Sequence, residues 1–117
     1  MQDFRNLKVW QKAHALTLDV YRITRNYPAD EKFGLTAQLR RSCASVPANL
    51  AEGCARTSDA DFARFVNIAL GSASETDYHL LLSRDLTYLS DSIYRPILDQ
   101  VSEVKRMLNS FERSLRG

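Results

Sequence analysis

Val9, Ala13, Leu16, Val20, Ile23 and Tyr27 follow one another at intervals of four, three, four, three and four. That is the seam of a helix packed along its whole length. The same rhythm returns near the other end in Ile97, Val101, Val104, Leu108, Phe111 and Leu115, and between them Leu35, Leu39, Cys43, Val46, Leu50 and Cys54 keep helical spacing. No stretch alternates as a strand does. The 117 residues suit one domain. With only four Gly and three Pro to mark turns, the elements should be few and long. The expected fold is all-α, an antiparallel up-and-down four-helix bundle over residues 1–117.

The segment boundaries follow from local chemistry. The first helix runs from Leu7 to Tyr27 and stops before Pro28, which disfavours helical geometry in the residue it follows; "PADEKFG" then reads as a loop. The second runs from about Gly34 to Ala55, with Ala44, Ala48 and Ala51 letting a neighbouring backbone come close. Thr57 or Ser58 supplies an N-cap, with Asp61 three residues after Ser58, for a third helix reaching about Leu89. The fourth opens in "SDSIYRP", where Pro96 suits a first turn.

The second helix contains Pro47, which removes one backbone donor and collides with the Cys43 carbonyl. The helix can kink there or restart with Ser45 as an N-cap; a second helix kinked at the proline is expected, and an extended loop over residues 44–50 is not. On its polar side Arg41, Ser45, Asn49, Glu52 and Arg56 form one stripe, with Glu52 and Arg56 able to pair. An interface and capping network explains that stripe better than a ligand patch.

Two surfaces carry more apolar character than a small bundle needs. Trp10, His14, Thr17 and Tyr21 widen the face of the first helix, and Leu80, Leu81 and Leu82 point around most of the third, below Gly71, Ser72, Ala73 and Ser74. A helix that is apolar all round is expected to be buried all round. Oligomerisation is the expected solution, with Trp10, Tyr21, Asn49, Glu52 and Leu81 at the interface.

Composition narrows the function classes. The first twenty residues give no uninterrupted apolar run and no later segment approaches the roughly 18 apolar residues of a membrane span, so a cytoplasmic protein without a membrane partner is expected. Cys43 and Cys54 lie eleven residues apart, about 16 Å along a helix and beyond the roughly 7 Å reach of a disulfide; both should be reduced core thiols. Neither has the Cys-x-x-Cys spacing or a histidine on a nearby turn that activates a thiol. With two histidines a di-iron centre is excluded. Glu75 and His79 share a helix face, yet a surface or interface pair explains them better than a metal site, and His14 reads as a packed histidine. No cofactor, no metal and no enzymatic activity are expected.

The formal net charge is +2 and divides unevenly, with nine Lys and Arg against five Asp and Glu in residues 1–56 and seven against nine in residues 57–117. The basic groups are Arg5, Lys8 and Lys12 on the first helix, Arg40 and Arg41 on the second, and Lys105, Arg106, Arg113 and Arg116 on the last. Each alone is explained by a solvated helix face. A ring would repeat them and steer polyanions far better. Without an aromatic stacking surface, binding would go to phosphates with little sequence preference.

"FRNLKVWQKA", "LTAQLRRSCASVPANLAEGCAR", "FARFVNIALGSASE" and "VSEVKRMLNSFERSL", in that order over almost the whole chain, resemble the bacterial four-helix bundle proteins associated with intervening sequences of 23S rRNA genes. That family is similar to the accessory protein of diversity-generating retroelements, which forms a pentameric barrel and works with a reverse transcriptase and nucleic acid. The resemblance implies a cytosolic homopentamer whose partners are its own copies, RNA or DNA, and a reverse transcriptase or another protein. The expected function is a non-enzymatic nucleic-acid or ribonucleoprotein accessory role through Arg40, Arg41, Lys105, Arg106, Arg113 and Arg116; the alternative is a protein-only scaffold or adaptor.

Overall fold

The computed structural model describes residues 2–117. Four helices carry the fold: α1 (Lys8–Thr24), α2 (Leu35–Cys54), α3 (Asp59–Asp85) and α4 (Asp91–Arg116), with short 3-10 turns at Phe4–Asn6 and Ala29–Glu31 and no strand among the described residues. Each helix lies beside two others, α1 and α3 both between α2 and α4, while the backbones of the diagonal pairs stay apart. With the short connections this makes a square, antiparallel bundle. The 27 residues of α3, at about 1.5 Å each, account for most of the 43 Å long axis.

The repeated intervals become the core. Val9, Ala13, Leu16 and Val20 of α1 meet Leu39, Cys43, Val46 and Leu50 of α2, Val66, Ala69, Ala73 and Leu80 of α3, and Val101, Val104 and Leu108 of α4, all buried. Burying a Leu or Val side chain stabilises by about 1.5–3 kcal/mol, so these side chains hold the bundle against the entropy of ordering the chain.

Helix ends show where local signals decide. The Ser58 hydroxyl accepts from the Asp61 N–H at 3.1 Å, the expected cap of α3. Leu35 N–H, at the start of α2, donates instead to the Glu31 carboxylate at 3.0 Å. That bond, then one from the Tyr88 hydroxyl, holds the Glu31 carboxyl below its usual range. The third helix ends at Asp85, four residues before the expected Leu89. Tyr88 N–H reaches back to the Ser83 carbonyl and Thr87 N–H to Arg84, and Thr87 sits at φ 67° in the left-handed region where glycine is usual. Pro96 lies in the second turn of α4, because the helix starts at Asp91 on the Ser90 cap position rather than at the proline.

α2 runs unbroken through Pro47, so the chain does not restart at Ser45. The Cys43 carbonyl, which Pro47 cannot serve, lies 3.4 Å from the buried Thr17 hydroxyl of α1; that hydroxyl also donates to Ala13 at 2.8 Å. Thr17 is thus an interior residue, not part of an outward row with Trp10 and Tyr21. Gly53 has a separate cause: a β-carbon there would stand 2.7 Å from Cδ1 of Phe62 and 3.1 Å from Cβ of Phe65. Only glycine lets α2 and α3 approach so closely where they turn into one another.

Candidate functional site

The polar stripe of α2 faces α3 and is largely used there. Ser45 and Ser72 pair through their hydroxyls at 2.9 Å, Asn49 Nδ2 donates to the Ser45 carbonyl at 2.8 Å and to its hydroxyl at 2.9 Å, and buried Ser42 pairs with buried Thr76 at 2.9 Å. Above them Arg41 bonds Gln38 at 3.0 Å and forms an ion pair with Glu75. Below them Glu52 pairs with Arg56 at 2.8 Å, whose guanidinium lies 4.6 Å over the Phe65 ring. Paired hydroxyls between closely packed helices give one another the partner that a buried polar group needs.

Ser42, His79 and Glu75 share this seam in the order of a nucleophile, base and orienting acid. Their spacing does not serve that chemistry: Ser42 to His79 Nδ1 is 3.5 Å and His79 Nε2 to Glu75 is 3.8 Å, beyond the roughly 2.6–3.2 Å of an activated pair. Ser42 is fully buried, and Arg41 holds the Glu75 carboxylate. Burial lowers the His79 pKa, partly opposed by Glu75 and reinforced by Arg41. Among the described residues no third His, Cys, Asp or Glu joins Glu75 and His79 to hold a metal. His14 is exposed, its ring stacked 4.8 Å from Trp10. The cysteines are free and buried, and burial pushes the Cys43 thiol up to about 11.

The six basic residues singled out in the sequence do not form one patch in a single chain. Arg40 and Arg41 stand on α2, the other four on α4, and those helices are diagonal to each other. Arg40 donates from Nε to Thr24 at 2.8 Å and stacks 4.7 Å from the Tyr21 ring centre. Lys105 is paired with Asp77 at 3.1 Å and Arg116 with Glu112 at 2.8 Å. Only Arg40, Arg106 and Arg113 of the six lack a carboxylate partner. Arg25 and Lys32 are not among the basic groups that helical spacing picks out. Arg25 closes α1 and Lys32 follows the 3-10 turn before α2, and only the fold brings them beside Arg40.

The proposed interface residues divide as well. Trp10 is half-buried, edge-on to Phe4 at 5.0 Å, and Asn49 is half-buried in the seam. Tyr21 and Leu81 are exposed, with Leu18 on α1 and Ile68 and Tyr78 on α3, Tyr78 at 58%. Leu80 is fully buried and Leu82 partly so. The burial all round α3 that its sequence implies is therefore only half supplied by its own chain.

A family described as 23S rRNA-intervening sequence protein has a model that matches residues 5–110. Among solved structures the chain is similar to a protein of unknown function from the S23 ribosomal protein family of Bacteroides thetaiotaomicron, at 30% identity and a TM-score of 0.80 over 89% of this chain and 97% of that one. No curated protein matches the chain.

Proposed function

The chain belongs to the family of 23S rRNA-intervening sequence proteins, and from that premise we propose that it is a non-enzymatic accessory protein that binds RNA or DNA as a symmetric ring. The observation that carries this reading is the pairing of uncovered apolar faces on α1 and α3 with cations that are unpaired but scattered. Apolar groups such as Leu18, Tyr78 and Leu81 gain by being covered, and repetition around an axis gathers what one chain leaves apart. By resemblance to the retroelement accessory protein the ring is a homopentamer, acts in the cytoplasm, and has a reverse transcriptase or another protein as its partner. Arg40, Arg106 and Arg113 carry the phosphate contacts; Arg41, Lys105 and Arg116 add less while their carboxylates hold them.

The test is the salt dependence of RNA and DNA binding. Log affinity falls linearly with log salt, at a slope of about −0.7 to −0.9 per phosphate contact, with little sequence preference. Replacing Arg106 and Arg113 by Gln flattens that slope by up to about two units per occupied subunit, with helical content and mass unchanged. An intact oligomer that retains neither RNA nor DNA at about 50 mM salt contradicts the reading. The second reading, a protein-only scaffold, would then lead. It draws on an open groove of about 340 Å³ between the start of α1 and the end of α4, where Leu7, Val9, Met107 and Phe111 offer an apolar lining.

A further inference from the structure

At the end of the bundle where α1 hands over to α2, a surface cavity of about 290 Å³ is lined by Thr24, Arg25, Tyr27, Lys32, Thr36 and Arg40 among others. Nine of the sixteen Lys and Arg side chains form ion pairs with carboxylates, and Arg25, Lys32 and Arg40 are not among them. In a chain with fourteen Asp and Glu, three cations sharing one cavity without a carboxylate is an arrangement that repels itself until an anion arrives. Of the two carboxylates in the adjoining turn, Glu31 is turned to Leu35 N–H and the Tyr88 hydroxyl, and Asp30 is not part of the lining.

A second observation points the same way. Thr36 is only 8% exposed, and its hydroxyl has no hydrogen-bond partner in the chain. Buried hydroxyls are nearly always paired, and one left unmade is costly. Thr36 lies in the first turn of the 20-residue α2, at the positive end of the helix dipole. Arg40 is already fixed in place by its bond to Thr24 and its stacking on Tyr21, and one Nη reaches the Tyr21 carbonyl at 3.4 Å. That carbonyl accounts for part of one guanidinium. It does not account for Arg25, for Lys32 or for the unpartnered Thr36.

We propose that this cavity binds a phosphate oxyanion between the Arg25 and Arg40 guanidiniums, the Lys32 ammonium and the Thr36 hydroxyl. Guanidiniums meet phosphate oxygens in pairs and the ammonium meets them as a point charge. The volume is at the lower limit of small-molecule pockets, about 300 Å³, enough for the phosphate and part of what bears it. A free phosphate, a phosphomonoester and a polynucleotide phosphate offer the same chemistry; only the last rests on the function proposed above.

Amide and methyl NMR of the full chain with inorganic phosphate tests the site, followed by a 5′-phosphorylated oligonucleotide and its unphosphorylated counterpart. Saturable shifts at Thr36 and its neighbours are expected, with Kd of about 1 mM or tighter. Lys32→Gln and Arg25→Gln should each weaken phosphate binding about tenfold or more. Both residues are exposed, so the fold is not at risk, and Arg64→Gln, at an exposed position near the start of α3, should leave phosphate binding unchanged. Thr36→Val tests the hydroxyl, with helical content as its control. No saturable shift up to about 10 mM phosphate, or full phosphate affinity in Lys32→Gln, overturns the site even if oligonucleotides are still retained. Phosphate binding without oligonucleotide retention upholds the site, assigns it to a small phosphate and counts against the polynucleotide reading. Preference for the 5′-phosphorylated oligonucleotide, lost in Lys32→Gln, upholds the site with a nucleic-acid source.

Discussion

The two sides of α3 are built on opposite terms. Toward α2 it presents Phe62, Ala69, Ala73 and Thr76, all buried, and Gly53 of α2 comes so near that a single added carbon would collide with a Phe62 ring. Hydroxyl pairs at 2.9 Å complete the contact. Away from α2 and α4 the same helix presents Ile68, Tyr78 and Leu81 to solvent, with Gly71 among them and nothing within 4 Å of where its β-carbon would be. The first side is finished inside one chain. The second has the composition of an interior without the neighbours, and that difference is the physical ground for proposing an assembly.

Substituting the two glycines separates the sides most sharply. Gly53→Val should destabilise by about 1–3 kcal/mol or more, because an overfilled close contact must spread two helices; chemical denaturation measures it. If Gly53→Val were neutral, the close approach of α2 and α3 would be wrong. Next comes the freed carbonyl on the far side of α2. Thr17→Val should cost about 1 kcal/mol, and Pro47→Ala, which restores a donor to Cys43, should recover part of that loss. A double-mutant cycle with no coupling would show that Thr17 does not compensate for the proline.

Gly71→Ala should act with the opposite sign, stabilising an isolated chain by about 0.5–1 kcal/mol through the lost flexibility of glycine in a helix. If it destabilises instead, and does so more at higher protein concentration, a second copy lies against that face. The smallest expected effect is the pH dependence of His79. Burial lowers its pKa in the folded state from about 6.5, so below that pH the unfolded chain takes up a proton the folded chain resists. Stability from this group is present above about pH 6.5 and declines as pH falls below it toward the folded value. His79→Gln should flatten that part of a melting-temperature profile; an unchanged profile would remove His79 from the seam's electrostatics.

The interval pattern made the four helices and most of the core legible, because burial of one side chain per turn is what the pattern encodes. It did not give the end of α3, where Thr87 occupies the left-handed position and no glycine announces a stop. It also misplaced Thr17, since a threonine within a row of Trp10, His14 and Tyr21 reads as part of a surface until the Cys43 carbonyl is known to lie across from it. Basic faces were visible as spacing, but the carboxylates that occupy Arg41 and Lys105 come from α3, 34 and 28 residues away, and spacing carries no information about them. The same limit hid the grouping of Arg25, Lys32 and Arg40. Those three come together only when α1 ends and the chain turns back into α2.

The mass of the protein in solution tests the central claim, that the uncovered faces of α1 and α3 are interfaces between copies. Sedimentation equilibrium at micromolar concentration should give a single species near five times the 13.3 kDa chain mass, and a charge introduced at Leu81 or Tyr21 should lower it. A stable 13.3 kDa monomer would contradict the account.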